Sequence, residues 1–325
     1  MAESTITVPD TGSGRGASVW GALRDYGVYA ALGVVLLGNL AFTHDFFAVD
    51  NLRIQLVQVV PVLLVALGMA LVIGTEGIDL SVGAVMALAA AALPLYLGYG
   101  FWVAIVVALA LGAVVGVVNG GIIAYVGVQP IVATLALMVA GRGIALVISD
   151  EQLKSVTNPT LLDLGTASVL GVPVIVLLAA VLAVAVGLLV ARTTFGRQLV
   201  AVGGNRRAAE LSGLPVKRVL VSVYVICALL ATVAGVVGVA RSGASVPSTL
   251  GNLIELSAIT AVVVGGTPLS GGQVRIVGTV AGALLLQLID ATLIVHDVPD
   301  SYSQIVQAAI IVAAVLLQRR QAVSR

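Results

Sequence analysis

Charged residues are scarce in this sequence. Only 10% of its 325 residues are Asp, Glu, Lys or Arg, whereas a typical soluble domain carries roughly 25%. Hydrophobic residues make up 60%, and the mean hydropathy is +1.15. A soluble globular domain is therefore excluded, and the composition predicts a protein of the lipid bilayer. The net charge of +1 provides no basic footprint for nucleic acid, which we do not expect as a partner.

Residues that commonly carry redox or metal chemistry are also few. The single cysteine, Cys227, excludes an intrachain disulfide, and its apolar surroundings predict a packing role. The two histidines, His44 and His296, have no cysteine or other histidine nearby, so we expect no metal site. We expect no cofactor either.

Long apolar runs are what the sequence has in abundance. The runs are continuous rather than alternating, which predicts membrane-spanning helices and excludes a barrel. A span needs roughly 20 residues, and the sequence accommodates about ten. The predicted fold is therefore an all-α polytopic membrane protein. We place spans at residues 26–43, 54–74, 82–98, 102–124, 131–149, 172–191, 219–240, 254–265, 276–295 and 302–317.

The basic residues predict the orientation, because cytoplasmic loops retain Lys and Arg. Residues 192–218 form the most basic loop and are placed inside, which makes both termini cytoplasmic. We divide the chain into a disordered cytoplasmic tail (1–19), a transmembrane domain (20–318) and a second cytoplasmic tail (319–325). The span at 254–265 is the weakest, because it is short and starts at Glu255, and a partial or re-entrant helix is the alternative to a full span.

Two apolar runs are broken by glycine-rich turns. Such breaks occur where the backbone faces protein or a water-filled cavity, so they indicate a pathway. Leu80 and Ser81 in the first turn match Leu269 and Ser270 in the second, at an offset of 189 residues. The match is compatible with an internal repeat or with two ordinary glycine-rich hairpins. The glycines assigned to the turns are Gly77, Gly83, Gly265, Gly266, Gly271 and Gly272.

Several blocks of the sequence resemble bacterial sugar ABC-transporter permeases of the ribose, xylose and galactose type. The most specific is GIDLSVG at residues 77–83, and the similarity covers about residues 46–318. The run QPIVATLALMVAGRG is especially similar to galactofuranose-importer permeases. Glu76 departs from the pattern, because the family usually carries a small residue there, commonly glycine.

The resemblance implies a permease subunit that imports a monosaccharide or related polyol across the cell membrane. It also implies three kinds of partner: a second permease chain, identical or not, a cytoplasmic ABC ATPase and an extracytoplasmic sugar-binding protein. An autoinducer-type sugar derivative or another small neutral solute is an alternative substrate. The string LSGGQ at residues 269–273 is typical of ABC ATPases, and we interpret it as accidental. Neither lysine, Lys154 or Lys217, lies in a phosphate-binding loop, so we predict no nucleotide site and no enzymatic activity in this chain.

Polar residues within spans are the candidates for the substrate pathway, since they are costly in lipid. Asp79 is predicted to cap the helix that starts at Ser81 or Val82, with direct substrate contact as the alternative. Arg142 lies about 10 Å from the outer end of its helix, so it can snorkel, pair with an acidic residue or line the pathway. Four further residues are expected to form interhelical hydrogen bonds or to bind sugar. The complete candidate set is Asp79, Ser81, Asn119, Gln129, Arg142, Gln287 and Asp290.

Two loops are predicted to contact partners. The basic loop resembles the ATPase-contacting loop of the family, and Ala208, Ala209 and Gly213 are expected to permit close approach of the ATPase. Residues 150–173 form the longest outer loop, which is net acidic. That loop is interpreted as a docking surface for the binding protein or as a solvated connector.

Two other classes of function remain as alternatives. An intramembrane enzyme would need paired carboxylates or a Ser-His arrangement in the bilayer, and Glu76 is the only acidic neighbour of Asp79. An ion-coupled secondary transporter would use a buried acidic group, for which Asp290 is the candidate.

Overall fold

The structure, a computed structural model, describes residues 14–43, 46–299, 301–302, 304–306, 308–310 and 312, with side chains from residue 26 onward. These residues are predominantly helical, which confirms the all-α prediction, and the strands among them are two short antiparallel pairs. The helices are α1 (Gly14–Phe42), α2 (Val49–Gly74), α3 (Val82–Tyr96), α4 (Phe101–Gly121), α5 (Pro130–Ser149), α6 (Pro159–Thr166), α7 (Val174–Arg192), α8 (Thr194–Gly204), α9 (Arg206–Leu211), α10 (Val216–Ser242), α11 (Ile254–Val264) and α12 (Ile276–Val295). The strands are β1 (Lys154–Ser155), β2 (Ser168–Val169), β3 (Val172–Pro173) and β4 (Ala244–Ser245).

Seven helices of the described part are long and apolar enough to cross a membrane. They are α2, α3 with a 3₁₀ turn at Leu97–Tyr99, α4 with a π-helical turn at Ile122–Val126, α5, α7, α10 and α12. Each coincides with a predicted span. The apolar part of α1, Tyr26–Phe42, and α11 are shorter apolar helices. The predicted span at 302–317 lies partly outside the described residues, so the count of about ten stays a prediction.

The boundary of the N-terminal tail differs from the prediction where the structure describes it. Helix α1 begins at Gly14, within the segment 1–19 that the sequence assigned to a disordered tail. Residues 1–13 and 313–325 lie outside the described residues. The division into a transmembrane domain with two cytoplasmic tails therefore stays a prediction.

Helix α10 lies at the centre of the bundle and packs against α2, α3 and α4. Glycines allow these helices to approach at backbone distance. A side chain at Gly68 of α2 would meet the Cys227 Cα at 2.8 Å, and one at Gly235 of α10 would meet the Met86 carbonyl oxygen at 2.7 Å. Cys227 is fully buried, consistent with the packing role predicted for it. Small residues at such crossings favour helix association in lipid, where no hydrophobic force drives it.

Helix α11 and the segment before it cross the bundle together. Eleven residues of helix span about 16 Å, roughly half of a 30 Å hydrocarbon core. Residues 244–253, which we call the re-entrant segment, run along α3: the Ser245 hydroxyl donates to the Ala90 carbonyl at 2.6 Å, and Gly251 packs on Gly83. The short span predicted at 254–265 is therefore a half-helix that crosses the bundle only together with residues 244–253.

The two ends of the bundle differ in their covering elements. Helices α8 and α9 lie at one end, which we call the basic end because exposed Arg192, Arg197, Arg206 and Arg207 surround it. Helix α6 and the strand pairs β1–β4 and β2–β3 cover the opposite end, which we call the loop end. Helix α6 packs against α10, and a side chain at Gly165 would clash with the Ala240 backbone.

Candidate substrate pathway and coupling site

The first broken turn begins where α2 ends in a Schellman motif. The Glu76 amide donates to the Ile73 carbonyl at 2.9 Å, and the Gly77 amide donates to the Val72 carbonyl at 3.0 Å. Glu76 therefore occupies the left-handed position of the motif, with a φ of 64°. This position favours glycine because a Cβ is crowded there. The departure from the family pattern noted at Glu76 is thus a departure from the residue that the backbone prefers.

The second broken turn ends α11 in the same way. The Gly266 amide donates to the Val263 carbonyl at 3.0 Å, and the Thr267 amide donates to the Val262 carbonyl at 3.2 Å. Gly266 has a φ of 88°. Gly266 is thus the counterpart of Glu76, 190 positions later and not at the 189-residue offset of the Leu-Ser match. The two helix ends correspond in structure, whereas an internal repeat of the whole segments stays a prediction.

The two turns meet at the basic end. The Gly272 amide donates to the Gly74 carbonyl at 3.0 Å, and a side chain at Gly203 of α8 would clash with that carbonyl. Gly271 and Gly272 have φ values of 72° and 75°. The glycines of LSGGQ therefore serve a backbone junction between the turns. We call Gly74, Gly203 and Gly272 the glycine junction.

Replacing Glu76 by glycine is expected to stabilise the protein. The left-handed conformation costs a non-glycine residue about 1 kcal/mol, so Glu76→Gly should raise the free energy of unfolding by about that amount. Thermal unfolding in detergent measures the change. Glu76→Ala removes the charge but keeps the Cβ, and it should leave the midpoint near that of the wild type. An equal gain from both substitutions would assign the effect to charge instead.

A buried polar chain follows the first turn. The Asp79 carboxylate accepts hydrogen bonds from the Ser81 amide at 2.9 Å and the Ser81 hydroxyl at 2.6 Å. Ser81 is itself the residue before α3, so a capping role of Asp79 toward the amides of the helix stays a prediction. The Asn119 side chain donates to the Ser81 hydroxyl at 2.9 Å. Each of these three residues is 1% exposed, so a solute cannot reach them in this conformation.

Tyr224 of α10 packs beside the first broken turn. A side chain at Gly77 would come within 2.6 Å of the Tyr224 hydroxyl, which explains why the turn needs glycine there. The Tyr224 hydroxyl and the Asn119 Oδ1 are buried and have no hydrogen-bond partner among the described residues.

Arg142 of α5 is directed at the re-entrant segment. Its Nη1 donates to the carbonyl oxygens of Pro247 at 3.2 Å, Ser248 at 3.5 Å and Leu250 at 3.4 Å. Its Nη2 lies 3.3 Å from the position that a Cβ at Gly83 would take, and the Glu255 Oε2 lies 2.9 Å from the same point. Position 83 therefore has no room for a side chain, because the Arg142 and Glu255 side chains and the Gly251 backbone lie directly against it.

The remaining candidates lie apart from Arg142. Gln287 of α12 donates to the Gln55 Oε1 at 2.9 Å and to the Gln58 Oε1 at 3.0 Å, which is the interhelical role expected for it. Asp290 is half-buried on the same helix. Gln129 is exposed at the start of α5, where its backbone carbonyl accepts hydrogen bonds and its side chain forms no cap. The structure therefore does not gather the seven candidates into one site.

Gly265 belongs to a tight crossing of α11 and α12 in addition to the turn. A side chain at Gly265 would clash with the Gly278 backbone, and one at Gly282 would clash with the Ala261 carbonyl. Gly265, together with Gly278 and Gly282 of α12, thus allows the half-helix to pack closely against α12. This contact fixes the end of α11 beside the glycine junction.

The predicted ATPase-contacting residues lie on α9 or just after it. The Asn205 side chain accepts from the Ala208 amide at 2.9 Å, which caps the start of this helix. Ala208 and Gly213 are exposed, but Ala209 is only 5% exposed and packs into the bundle. The expectation that Ala209 permits close approach of a partner is therefore wrong, because its side chain faces inward.

The backbone conformation at position 213 requires glycine. Gly213 has a φ of 78°, and no atom lies within 4 Å of the position a Cβ would take. The Gly213 amide donates to the Glu210 carbonyl and the Leu214 amide to the Ala209 carbonyl, which again forms a Schellman ending. Leu211 is 75% exposed on the same short helix, and no sequence motif indicated it.

The acidic loop at 150–173 is more ordered than a solvated connector. Leu161 of α6 is fully buried, and the Asn158 side chain accepts from the Leu161 amide at 3.2 Å to cap the helix. Leu170, at the tip of the β2–β3 hairpin, is fully exposed. The loop thus forms a folded cap that presents an apolar tip.

Sequence reasoning missed several residues that the structure brings to these sites. Glu255 was noted only as the start of a weak span, and Gln55, Gln58 and Gly203 were not considered. The glutamines and Glu255 are polar residues beside or within apolar runs, a signal that was readable in the sequence. Gly203 carries no comparable signal, because its importance comes from backbone contacts with residues far away in the sequence.

Comparisons with known proteins agree with this architecture. The family described as branched-chain amino acid transport system, permease component, matches residues 51–315. The ribose import permease protein RbsC of Escherichia coli K12 is 40% identical over 283 residues, which cover 85% of this chain and 88% of the relative. The galactofuranose transporter permease protein YtfT of the same strain is 38% identical over 266 residues, covering 81% and 78%. No solved structure matches the chain.

A third relative extends the range of sugars. The fructose import permease protein FruF of Bifidobacterium longum is 35% identical over 293 residues, which cover 85% of this chain and 82% of the relative. The chain therefore belongs to this permease family, and its relatives are permeases of sugar transport systems. It is a multi-pass protein of the cell membrane.

Proposed function

We propose that this chain is the membrane subunit of an ATP-binding-cassette importer that moves a monosaccharide or related polyol into the cell. The observation that carries the proposal is the 40% identity to a ribose import permease along most of both chains. The relatives named for galactofuranose and fructose support a sugar and leave the particular sugar open. ATP is hydrolysed by a partner ATPase, and a second permease chain completes the pathway.

The basic end is proposed to be the cytoplasmic face, where the ATPase binds. Cytoplasmic loops retain basic residues, and exposed arginines surround α8 and α9. The exposed Leu211 and Ala208 of α9 provide a small apolar face for docking. The folded cap at the loop end, with Leu170 at its tip, is the proposed contact for a sugar-binding protein.

Uptake by membrane vesicles tests the proposed function. The permease is produced with an ATPase, a second permease and a sugar-binding protein from the same organism, and uptake of labelled D-ribose, D-fructose and D-galactofuranose is measured. ATP-dependent import of one of these sugars, insensitive to a protonophore, is expected. Import that follows a proton gradient without ATP would favour the ion-coupled alternative, in which Asp290 would be the acidic group.

Leu211→Asp is expected to weaken ATPase binding. A charge on the apolar face should reduce the amount of ATPase that co-purifies with the permease by about tenfold, which corresponds to roughly 1.4 kcal/mol. Because Leu211 is exposed, the unfolding midpoint should not change. Leu170→Asp adds the same charge to an exposed leucine at the other end and should retain the ATPase. Normal ATPase retention by Leu211→Asp would refute docking on α9.

A further inference from the structure

The tip of the re-entrant segment lies deep in the bundle. Arg142 precedes Ser149, the last residue of α5, by seven positions, or about 10 Å. Helix α3 runs beside α5, and a side chain at Gly141 would meet the Ala84 Cβ at 3.2 Å. Helix α3 therefore begins well inside the span of α5. The re-entrant segment follows α3 down to Gly83, so residues near Gly251 reach the same depth.

The surface around residues 251–255 is polar and is only partly buried by the rest of the protein. Asn252 is exposed, and Arg142 and Glu255 are half-exposed. Leu253 adopts a left-handed conformation with a φ of 58° and is 50% exposed. Strained backbone of this kind persists where the surroundings hold it, and it is common at functional sites.

Exposure of this polar surface to lipid would be energetically unfavourable. A charged group at the centre of a helix costs roughly 2.5–3.5 kcal/mol on insertion into a bilayer. Arg142 does not relieve that cost by reaching toward the interface, because its Nη1 is bound by three carbonyls of the re-entrant segment. Arg142, Glu255 and Asn252 form a polar cluster. The exposed part of this cluster therefore needs water or another polar surface beside it.

The cluster suits an uncharged solute that carries several hydroxyl groups. The guanidinium is a planar set of N–H donors, and the carboxylate accepts O–H donors, so together they bind adjacent hydroxyls of both kinds. The pair has no net charge, so it does not favour anions over neutral molecules. Three backbone carbonyls hold the guanidinium in place before a solute arrives.

We propose that Arg142, Glu255 and Asn252 line a water-filled pathway about 10 Å from the loop end of α5 and bind the hydroxyl groups of the transported sugar. This inference rests on the proposed function. A purely structural role would have Arg142 fasten the re-entrant segment and Glu255 stabilise the positive end of the α11 dipole. The two roles differ in whether water and sugar reach the cluster.

Cysteine labelling tests whether water reaches the cluster. The single native cysteine, Cys227, is fully buried, so an introduced cysteine reports on a low background. In the complete transporter, Asn252→Cys is expected to react with a membrane-impermeant methanethiosulfonate reagent. Val184→Cys, midway along α7 and 61% exposed, is the matched control and should stay unmodified. An Asn252→Cys variant as unreactive as this control would overturn the proposal.

Uptake kinetics test whether sugar reaches the cluster. Glu255→Gln keeps the size of the side chain but loses the charged acceptor, and we expect the KM for whichever sugar the wild type imports to rise about tenfold. Asp50→Asn, an exposed carboxylate in the first turn of α2 and outside the loop at 150–173, should keep the wild-type KM. An unchanged KM in Glu255→Gln, with only a lowered unfolding midpoint, would assign Glu255 to structure alone. Failure of the wild type to import any sugar would instead contradict the proposed function.

Discussion

Gly203→Val is expected to abolish sugar import. A side chain at Gly203 would clash with the Gly74 carbonyl and come within 2.7 Å of the Gly272 amide, so it would lie across the hydrogen bond that joins the two broken turns. Overpacking at backbone distance costs about 1–3 kcal/mol or forces the elements apart. Here the element forced away is α8, which connects the glycine junction to the proposed docking helix α9.

Import is measured in vesicles at matched levels of inserted permease, together with ATP hydrolysis and retention of the ATPase. We expect import to fall to about 1% of the wild-type rate while the ATPase stays bound, because α9 itself is unchanged; a hundredfold loss corresponds to roughly 2.7 kcal/mol. Gly204→Val is the matched control: only the Gly272 Cα, at 4.0 Å, comes near a side chain there. Equal activity of the two valine variants would show that import does not depend on close packing at the glycine junction.

The spans were predictable because lipid imposes a simple rule on sequence. A long apolar run must satisfy its backbone hydrogen bonds internally, so α2, α4, α5, α7, α10 and α12 were placed to within a few residues of their observed bounds. The re-entrant segment could not be derived in the same way. Its path depends on Ser245 binding the Ala90 carbonyl and on Gly251 packing against Gly83, contacts between residues more than 150 positions apart.

The candidate site was predictable in its residue types but only partly in its arrangement. The contact between Asp79 and Ser81 is local, because the two residues are two positions apart in the sequence. The roles of Arg142 and Gly83 depend on Glu255 and the re-entrant carbonyls, which no local pattern brings together. Gly213 shows the reverse case, in which a glycine interpreted as a contact residue is required by its own φ of 78°.

Gly116→Val is expected to prevent the bundle from folding. Gly112, Gly116 and Gly120 recur every four residues on the face of α4 that packs against α10. A side chain at Gly116 would lie 2.6 Å from the Val225 Cα, and one at Gly120 would lie 2.7 Å from the Val221 Cα. Both neighbours are backbone atoms, so neither yields by rotating a side chain. The whole crossing of α4 on the central helix would have to open.

The smaller substitution Gly116→Ala gives a graded measurement of the same contact. In a helix interior, replacing glycine by alanine ordinarily stabilises by roughly 0.5–1 kcal/mol. At Gly116 we expect the opposite sign, a loss of about 1–3 kcal/mol from overpacking. Gly121, on the same helix with no atom within 4 Å of an added Cβ, is the matched control and should show the ordinary stabilisation with alanine. Unfolding midpoints in detergent compare the two variants. If both alanines shift the midpoint upward, α4 and α10 do not pack at backbone distance.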